Sequence, residues 1–451
     1  MQSRVPIIFS ALFWVFGTHF VYAQTSQLNP EEHPTTLPLS ATALSVDQAE
    51  PVKVDWHRTI GGIESIERSG DIVGLPDGDA VFTYTQFIND VPKLKIQRVN
   101  ATGDTVWEID LKYGGYEPSL NKIICLENGS IIGVGTIWEE TEVKILGRNQ
   151  VLTVDGKFQP YAVKFNLEGE IIWQKHFPIR NAASLTHIDV NRDGELIFAG
   201  IEGRPFVAGG GRVLIIKVNE DGKRKWQKKI SLKGKSKTTN YFDTMIVDST
   251  DVIVINGRSR LTNGVISSTG VDATQFIIRM SQKGRIISKT ETKDMRVEVS
   301  RDALLEPDGN MIVAGLATFT DKTKNGMYVA SYTPEDKVKW RTIIKDPEDG
   351  IFNDLIRLPD GKFIATGAAL ASTTAREDNA RFQNMVITCL SEDGKELWTR
   401  TFGNLGKHGF KAMDISTDHS LWVMSEVMYS ISGSSDVYLA KLVLTDINDN
   451  L

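Results

Sequence analysis

The chain has 451 residues, 41% of them hydrophobic, 24% charged and 8% aromatic, with 57 acidic against 51 basic side chains and a formal charge of −6. This balance describes a folded chain and excludes a disordered, collagen-like or multispanning membrane protein, and the acidic surplus gives no footprint for nucleic acid or an anionic membrane. Two cysteines in the whole length exclude a disulfide-stapled framework.

Read from the start, Arg4 supplies a short positive region, Val5 to Phe20 an apolar run, and Val21-Tyr22-Ala23 a small-residue cleavage site before Gln24. Residues 1–23 are therefore expected to be a secretory signal peptide. The run is interrupted and shorter than the roughly 20 residues of a spanning helix, so no membrane span is expected after cleavage. Residues 24–50, with Pro30, Pro34 and Pro38 among several hydroxyls, show neither apolar period and are expected to be a flexible leader. The expected destination is the periplasm or the cell exterior.

From 51 to 447 the sequence repeats itself. A tight polar turn is followed four residues later by tryptophan at Gly103 to Trp107, Gly169 to Trp173, Gly222 to Trp226 and Gly394 to Trp398. Asp336 to Trp340 keeps the spacing without the glycine, and Gly284 to Ser288 keeps the glycine without the tryptophan. Upstream of each copy lie three short β-rich runs, the first ending in turns such as Pro76-Asp77-Gly78 and Pro307-Asp308-Gly309. The triplet occurs seven times, but the tryptophan strand follows only six of them, because the chain stops soon after the last third strand. The missing copy stands at the other end, where Val54 to Ile60 matches Trp398 to Phe402 in type. A strand displaced from the end of a pattern to its beginning is what ring closure requires. The expectation is an all-β, seven-bladed propeller of four-stranded blades, with residues 54–60 completing the last blade. Six- and eight-bladed rings are the alternatives.

The repeated residues have structural explanations. The glycine ending the second strand (Gly135, Gly200, Gly257, Gly315, Gly367) implies a close neighbour, expected to be an aromatic ring of the adjacent blade. The tryptophans are expected between blades. A basic residue recurs on the third strand as Arg98, Lys164, Lys217, Arg279 and Lys441, expected to lay its stem on apolar surface and send its charge to water, against a positive ring for an acidic ligand. The Asp-Gly and Asn-Gly turns are expected to be two-residue hairpins.

The phrases Val213 to Trp226 and Ser391 to Trp398 resemble the repeat of secreted bacterial propellers of the quinoprotein-like (PQQ-like) superfamily. The resemblance covers residues 52–446, consists of repeat consensus, and implies fold and export. It also implies, for the true quinone dehydrogenases, eight blades, a calcium and cofactor site and commonly a vicinal disulfide, whereas no Cys-Cys pair occurs here. No cofactor is expected.

Propeller geometry places every long insertion on one face, including Ile137 to Pro160, Arg258 to Gln275 and Ala368 to Asn384, and that face is the expected binding face. Its candidates are Tyr113, Tyr116, Arg296, Arg301, Asp302, Asp354 and Lys411, suiting a glycan or an envelope or secreted protein. The histidines show no metal-ligand spacing and no Gly-x-Ser-x-Gly occurs, so neither a metal site nor a serine hydrolase is expected. The expected role is non-catalytic binding. The alternative is a polysaccharide lyase, which needs a cation to neutralise a uronate carboxylate and a Tyr or His base; His176, Arg180, Tyr241 and His408 are the candidates. His187, aligned with Asp71, Lys122, Asp302 and Asp354, is expected on the channel wall, as hydrated lining or as a polar ring around a ligand.

Overall fold

A computed structural model describes residues 51–445 apart from 63–64, 90, 147–150, 204–210, 233–237, 262–272, 293–297, 319–324, 345–349, 371–382 and 403–408, and 429–434. The signal and leader expectations lie outside the described residues. Near-continuous apolar runs such as Leu196–Glu202 and Arg212–Val218 form strands that bury both faces between neighbouring blades. Twenty-eight strands are described, in seven antiparallel four-stranded sheets, and no helix occurs among the described residues. The innermost strands of blades one to seven are Ile66–Gly74, Pro118–Cys125, Ala183–Val190, Thr238–Val247, Glu298–Leu305, Gly350–Arg357 and Phe410–Ile415. Each touches the next in order, and the seventh touches the first.

Closure is as the displaced strand requires. Val52–Ile60 pairs antiparallel with Ser435–Leu444 as the outermost strand of blade seven, from Val52 opposite Leu444 to Ile60 opposite Val437. The core lies between the sheets, with Phe82, Phe198, Phe276, Tyr328 and Trp422 fully enclosed. Enclosing each such side chain stabilises the fold by about 1.5–3 kcal/mol relative to leaving it in water.

Between strands one and two, and three and four, the turns are three-residue loops rather than two-residue ones. In the first, Leu75 N–H donates to Asp79 O and Gly78 N–H to Leu75 O, and the same pair of bonds recurs around the ring. This is a type I turn closed by a left-handed residue, which is why glycine recurs at its third position, with φ +87° at Gly78 and +88° at Gly103.

The tryptophans do pack between blades, and the turn glycine is what receives them. Trp56, Trp107, Trp173 and Trp226 each donate the indole N–H to a backbone carbonyl in the three–four turn of the next blade: Ala101, Leu167, Glu220 and Gln282. The ring lies under that turn's glycine, so that a Cβ on Gly103 would meet Trp56 at 3.0 Å and one on Gly169 would meet Trp107 at 3.2 Å. The two irregular copies belong to one junction. Blade four carries Ser288 in place of tryptophan, and the facing turn of blade five carries Asp336 in place of glycine. The Asp336 carboxylate takes up the space, accepting from Thr290 Oγ1 at 2.9 Å and from Arg279 Nε at 2.9 Å.

The strand-end glycine has a different cause from the expected one. A Cβ on Gly135, Gly200, Gly315 or Gly367 would collide with the carbonyl of Ser119, Ser184, Val299 or Ile351, on the first strand of the same blade. Each of those carbonyls lies just before a β-bulge that carries it toward the second strand. The expected loop at Ile137 to Pro160 is also corrected in part: strands two and three of blade two run on as a paired ribbon, Ile131–Leu146 against Val151–Phe165. The third-strand basic residues are not a free positive ring. Lys164 reaches Glu220 at 3.0 Å, Arg98 reaches Asp79 at 2.8 Å, and Lys441 reaches Asp418 at 2.9 Å, with only 5–15% of each basic side chain exposed.

Candidate functional site: the channel and its long-loop mouth

Every innermost strand is bulged near its middle, which turns two consecutive side chains toward the channel and its mouth. One layer comprises Asp71, Lys122, His187, Thr244, Asp302, Asp354 and Ala412. Three of its carboxylates stitch blade to blade by accepting a backbone N–H of the next inner strand: Asp71 from Ile123 at 2.8 Å, Asp302 from Leu355 at 3.0 Å, Asp354 from Met413 at 2.7 Å. Two residues along, Asp189 accepts from Val247 at 2.6 Å and Asp414 from Gly74 at 2.8 Å in the same way. These five bonds account for most of the acidic channel wall, because a buried amide left without a partner is costly.

The electrostatics follow from enclosure. Burial pushes Asp71, Asp189 and Asp414 up to about 6, despite the N–H bonds that favour their charged forms. Asp302 is held well above the ordinary carboxylate range by burial, by the charge of Asp354 and by a carboxyl–carboxyl hydrogen bond with it. Lys122 crosses the channel toward Asp71, 3.7 Å away, with 29% of its side chain still open. Burial opposes its charge, but Asp354, Asp71, Asp302 and Asp414 outweigh that and raise it well above the usual lysine value. Burial and Lys122 drive His187 down to about 3, so it is neutral; it bonds the Arg301 backbone and sets its ring edge-on to Phe242 at 5.0 Å. His187, Asp71, Lys122, Asp302 and Asp354 are thus brought together on the wall as expected. No group of three or more His, Cys, Asp or Glu side chains among the described residues has metal-holding geometry.

Toward the long-loop mouth, the bulges of blades four and five present a second cluster. Arg258 lies over the ring of Tyr241, 4.7 Å from its centroid, and its Nε is 3.0 Å from Asp243 Oδ1. Cross-strand pairing fixes this: Tyr241 stands directly opposite Arg258, with Asp243 at the bulge just beyond. Arg301 faces the pair from blade five; burial and Arg258 lower it, while Asp243 opposes the fall. Asp243 Oδ2, Arg301 Nε and Thr244 Oγ1 are enclosed there without a protein hydrogen-bond partner. Asp243 thus bonds one guanidinium group, Arg258, and interacts through its charge with a second, Arg301.

The remaining candidates are distributed around the face. His176 accepts or donates a 3.0 Å hydrogen bond with the Tyr113 hydroxyl, and Tyr113 sets its ring against both His176 and Tyr161. Tyr113 and Tyr116 close a small turn by bonding each other's backbone. Arg180 is exposed at the entry to blade three. Lys411 donates to the Ser69 carbonyl and lies 3.5 Å from Glu426, tying blade seven to blade one. Arg296 and His408 lie outside the described residues. Of this cluster the sequence singled out Tyr241 and Arg301, and it missed Arg258. A signal existed: Arg258 follows the recurrent strand-end glycine, where the other blades with that glycine place Thr136, Ile201, Leu316 and Ala368.

Neither cysteine, Cys125 or Cys389, is in a disulfide. No family model matches the chain, and no curated protein matches it. Among solved structures, a polysaccharide lyase of the PL25 ulvan lyase family is similar over 86% of this chain and 99% of its own, at TM-score 0.51 and 11% identity. It is also solved bound to a -[GlcA(1-4)Rha3S]- ligand. The β-propeller domain of the Trilobed protease from Pyrococcus furiosus is similar over 86% of this chain and 98% of its own, at TM-score 0.45 and 13% identity. The strands themselves define the class of the chain, a seven-bladed β-propeller, and the likeness to the ulvan lyase goes no further than fold.

Proposed function

We propose that the protein is an exported propeller that binds an acidic glycan, one bearing uronate carboxylates, at the long-loop mouth of its channel. The observation that carries this is the cluster of Arg258 and Arg301 around the single carboxylate of Asp243, which leaves one positive charge in excess. A guanidinium group pairs with a carboxylate through two parallel N–H bonds, and enclosure strengthens that pairing over its value in water. The half-buried ring of Tyr241 gives a sugar ring an apolar surface beside the charge. Calorimetric titration with an oligoglucuronate tests it: saturable binding is expected for the native chain, weakened about tenfold or more in Arg301→Gln. Unchanged affinity in that variant contradicts the site.

A second function, a β-eliminating polysaccharide lyase, is favoured by one specific feature. Tyr241 and Arg258 stand together, and in this reading the guanidinium neutralises a uronate carboxylate while the phenolate oxygen of Tyr241 takes the C5 proton; the C–H electrons form the C4–C5 double bond, the C4–O bond breaks, and the new phenol O–H protonates the departing glycosidic oxygen. The ulvan lyase of similar fold is named a polysaccharide lyase and is solved with a -[GlcA(1-4)Rha3S]- ligand. Incubation with a panel of acidic polysaccharides separates the two: an unsaturated product absorbing in the near ultraviolet, lost in Tyr241→Phe while binding persists, supports the lyase, and no product from any member removes it.

A further inference from the structure

On the opposite face, the tight-turn face, one pattern recurs at the blade junctions, and among the junctions with a facing three–four turn it is broken once. In each blade the third-strand residue opposite the tryptophan position is aimed at the junction with the next blade. It is Arg98, Lys164, Lys217, Arg279 and Lys441 in blades one to four and seven, and Cys389 in blade six, where blade seven has no three–four turn to face it because its outermost strand is Val52–Ile60. In blades two and three this cation meets the side chain at the second position of the next blade's three–four turn: Lys164 with Glu220 at 3.0 Å, Lys217 with Gln282 at 2.7 Å. Blade five has Ser331 at this place, directly opposite Trp340. The facing turn of blade six still carries an acid, Glu392, at the position of Glu220 and Gln282.

A cleft of about 590 Å³ opens at this junction, lined by Glu306, Asp308, Lys339, Trp340, Arg357 and Glu392, with Asp393 also on its wall. Four of the lining groups are carboxylates and two are cations. Arg357 enters from the inner strand of blade six, its Nε 2.9 Å from Glu306 and its guanidinium 3.7 Å from Glu392; Lys339 lies at the rim, 3.4 Å from Asp308. Arg357 takes over part of the bridge and leaves the cleft open. Glu392 keeps 72% of its side chain exposed. Ser331 is wholly enclosed and too short to reach it.

We infer that the cleft between blades five and six is a docking site for a lysine or arginine side chain of a partner protein. The incoming cation takes the place that Lys164 and Lys217 fill in the sister junctions, its stem along Trp340 and its charge at Glu392. The chain supplies the other half of the same contact at its own junctions, which identifies the chemistry of the occupant. This site is independent of the long-loop mouth.

The test uses Nα-acetyl-lysine N-methylamide and its norleucine counterpart, titrated into full-length protein with ¹⁵N-labelled tryptophan. The Trp340 indole signal is assigned by its absence in Trp340→Phe. The lysine compound is expected to move that signal saturably and the norleucine compound to leave it in place. Ser331→Lys, which fills the socket from within, is expected to abolish the shift, and Glu392→Gln to weaken affinity about fivefold to tenfold. Equal shifts from the two compounds, or unchanged lysine affinity in Ser331→Lys, overturns the inference. Should Ser331→Lys fail to fold, Glu392→Lys on the exposed turn places the cation from the solvent side and is read in the same way.

Discussion

Among individual residues, the channel carboxylates decide how stability responds to pH. Asp71, Asp189 and Asp414 are raised to about 6 when folded, so between roughly pH 4 and 6 the folded chain binds more protons than the unfolded one. Their contribution to stability is therefore fully present in acid below that interval and falls as pH rises through it. His187, lowered to about 3, acts in the opposite sense, because its folded neutral form is favoured as pH rises toward the usual histidine value. Three carboxylates outweigh one imidazole, and a melting temperature higher at pH 5 than at pH 7 is expected by thermal denaturation. Asp302→Asn keeps an acceptor for the Leu355 N–H and a donor for Asp354, without a charge that burial opposes. It is expected to leave the melting temperature at pH 7 unchanged or raised; a loss exceeding about 2 kcal/mol, the scale of a broken buried network, would contradict that assignment. None of this was legible beforehand. The alignment of Asp71, Lys122, His187, Asp302 and Asp354 could be read from the repeat, whereas their bonds to the next blade depend on where each bulge falls.

For strands and turns, the repeat is written in pairs that lie in different blades. Trp56 is matched by Gly103 and Trp107 by Gly169, and the one junction lacking tryptophan lacks glycine as well, with Ser288 facing Asp336. The two exceptions looked like separate decays in the sequence, since nothing in a linear spacing shows that the turn of one repeat covers the outer strand of the repeat before. Ser288→Trp alone is expected to destabilise by overpacking against Asp336, and adding Asp336→Gly to recover more than additively. A double-mutant cycle by denaturant unfolding should give a coupling of about 1 kcal/mol or more. Simple additivity would refute the pairing. Gly367→Ala is a second case: its Cβ would strike the Ile351 carbonyl, and a loss of about 1–3 kcal/mol is expected. The strand-end glycine was correctly read as a close approach, but its partner was misassigned, because a bulge on the first strand leaves no mark in composition or period.

In the whole molecule, the ring was legible because its closure displaces one strand, and Val52–Ile60 takes the edge of blade seven. Deleting residues 51–60 uncovers the Ser435–Leu444 edge and the packing of Val52 and Trp56, and should cost about 3 kcal/mol or more, with loss of a single cooperative transition in calorimetry. The mouth cluster was only half legible: Tyr241 and Arg301 were candidates from the sequence, and Arg258 needed the cross-strand register that sets it over Tyr241. The most direct measurement is a pair of calorimetric titrations, one with an oligoglucuronate and one with the same oligosaccharide after its carboxylates have been reduced to alcohols. A charge-reading mouth predicts binding of the first and a loss of about tenfold or more with the second. Equal affinity for both would contradict it.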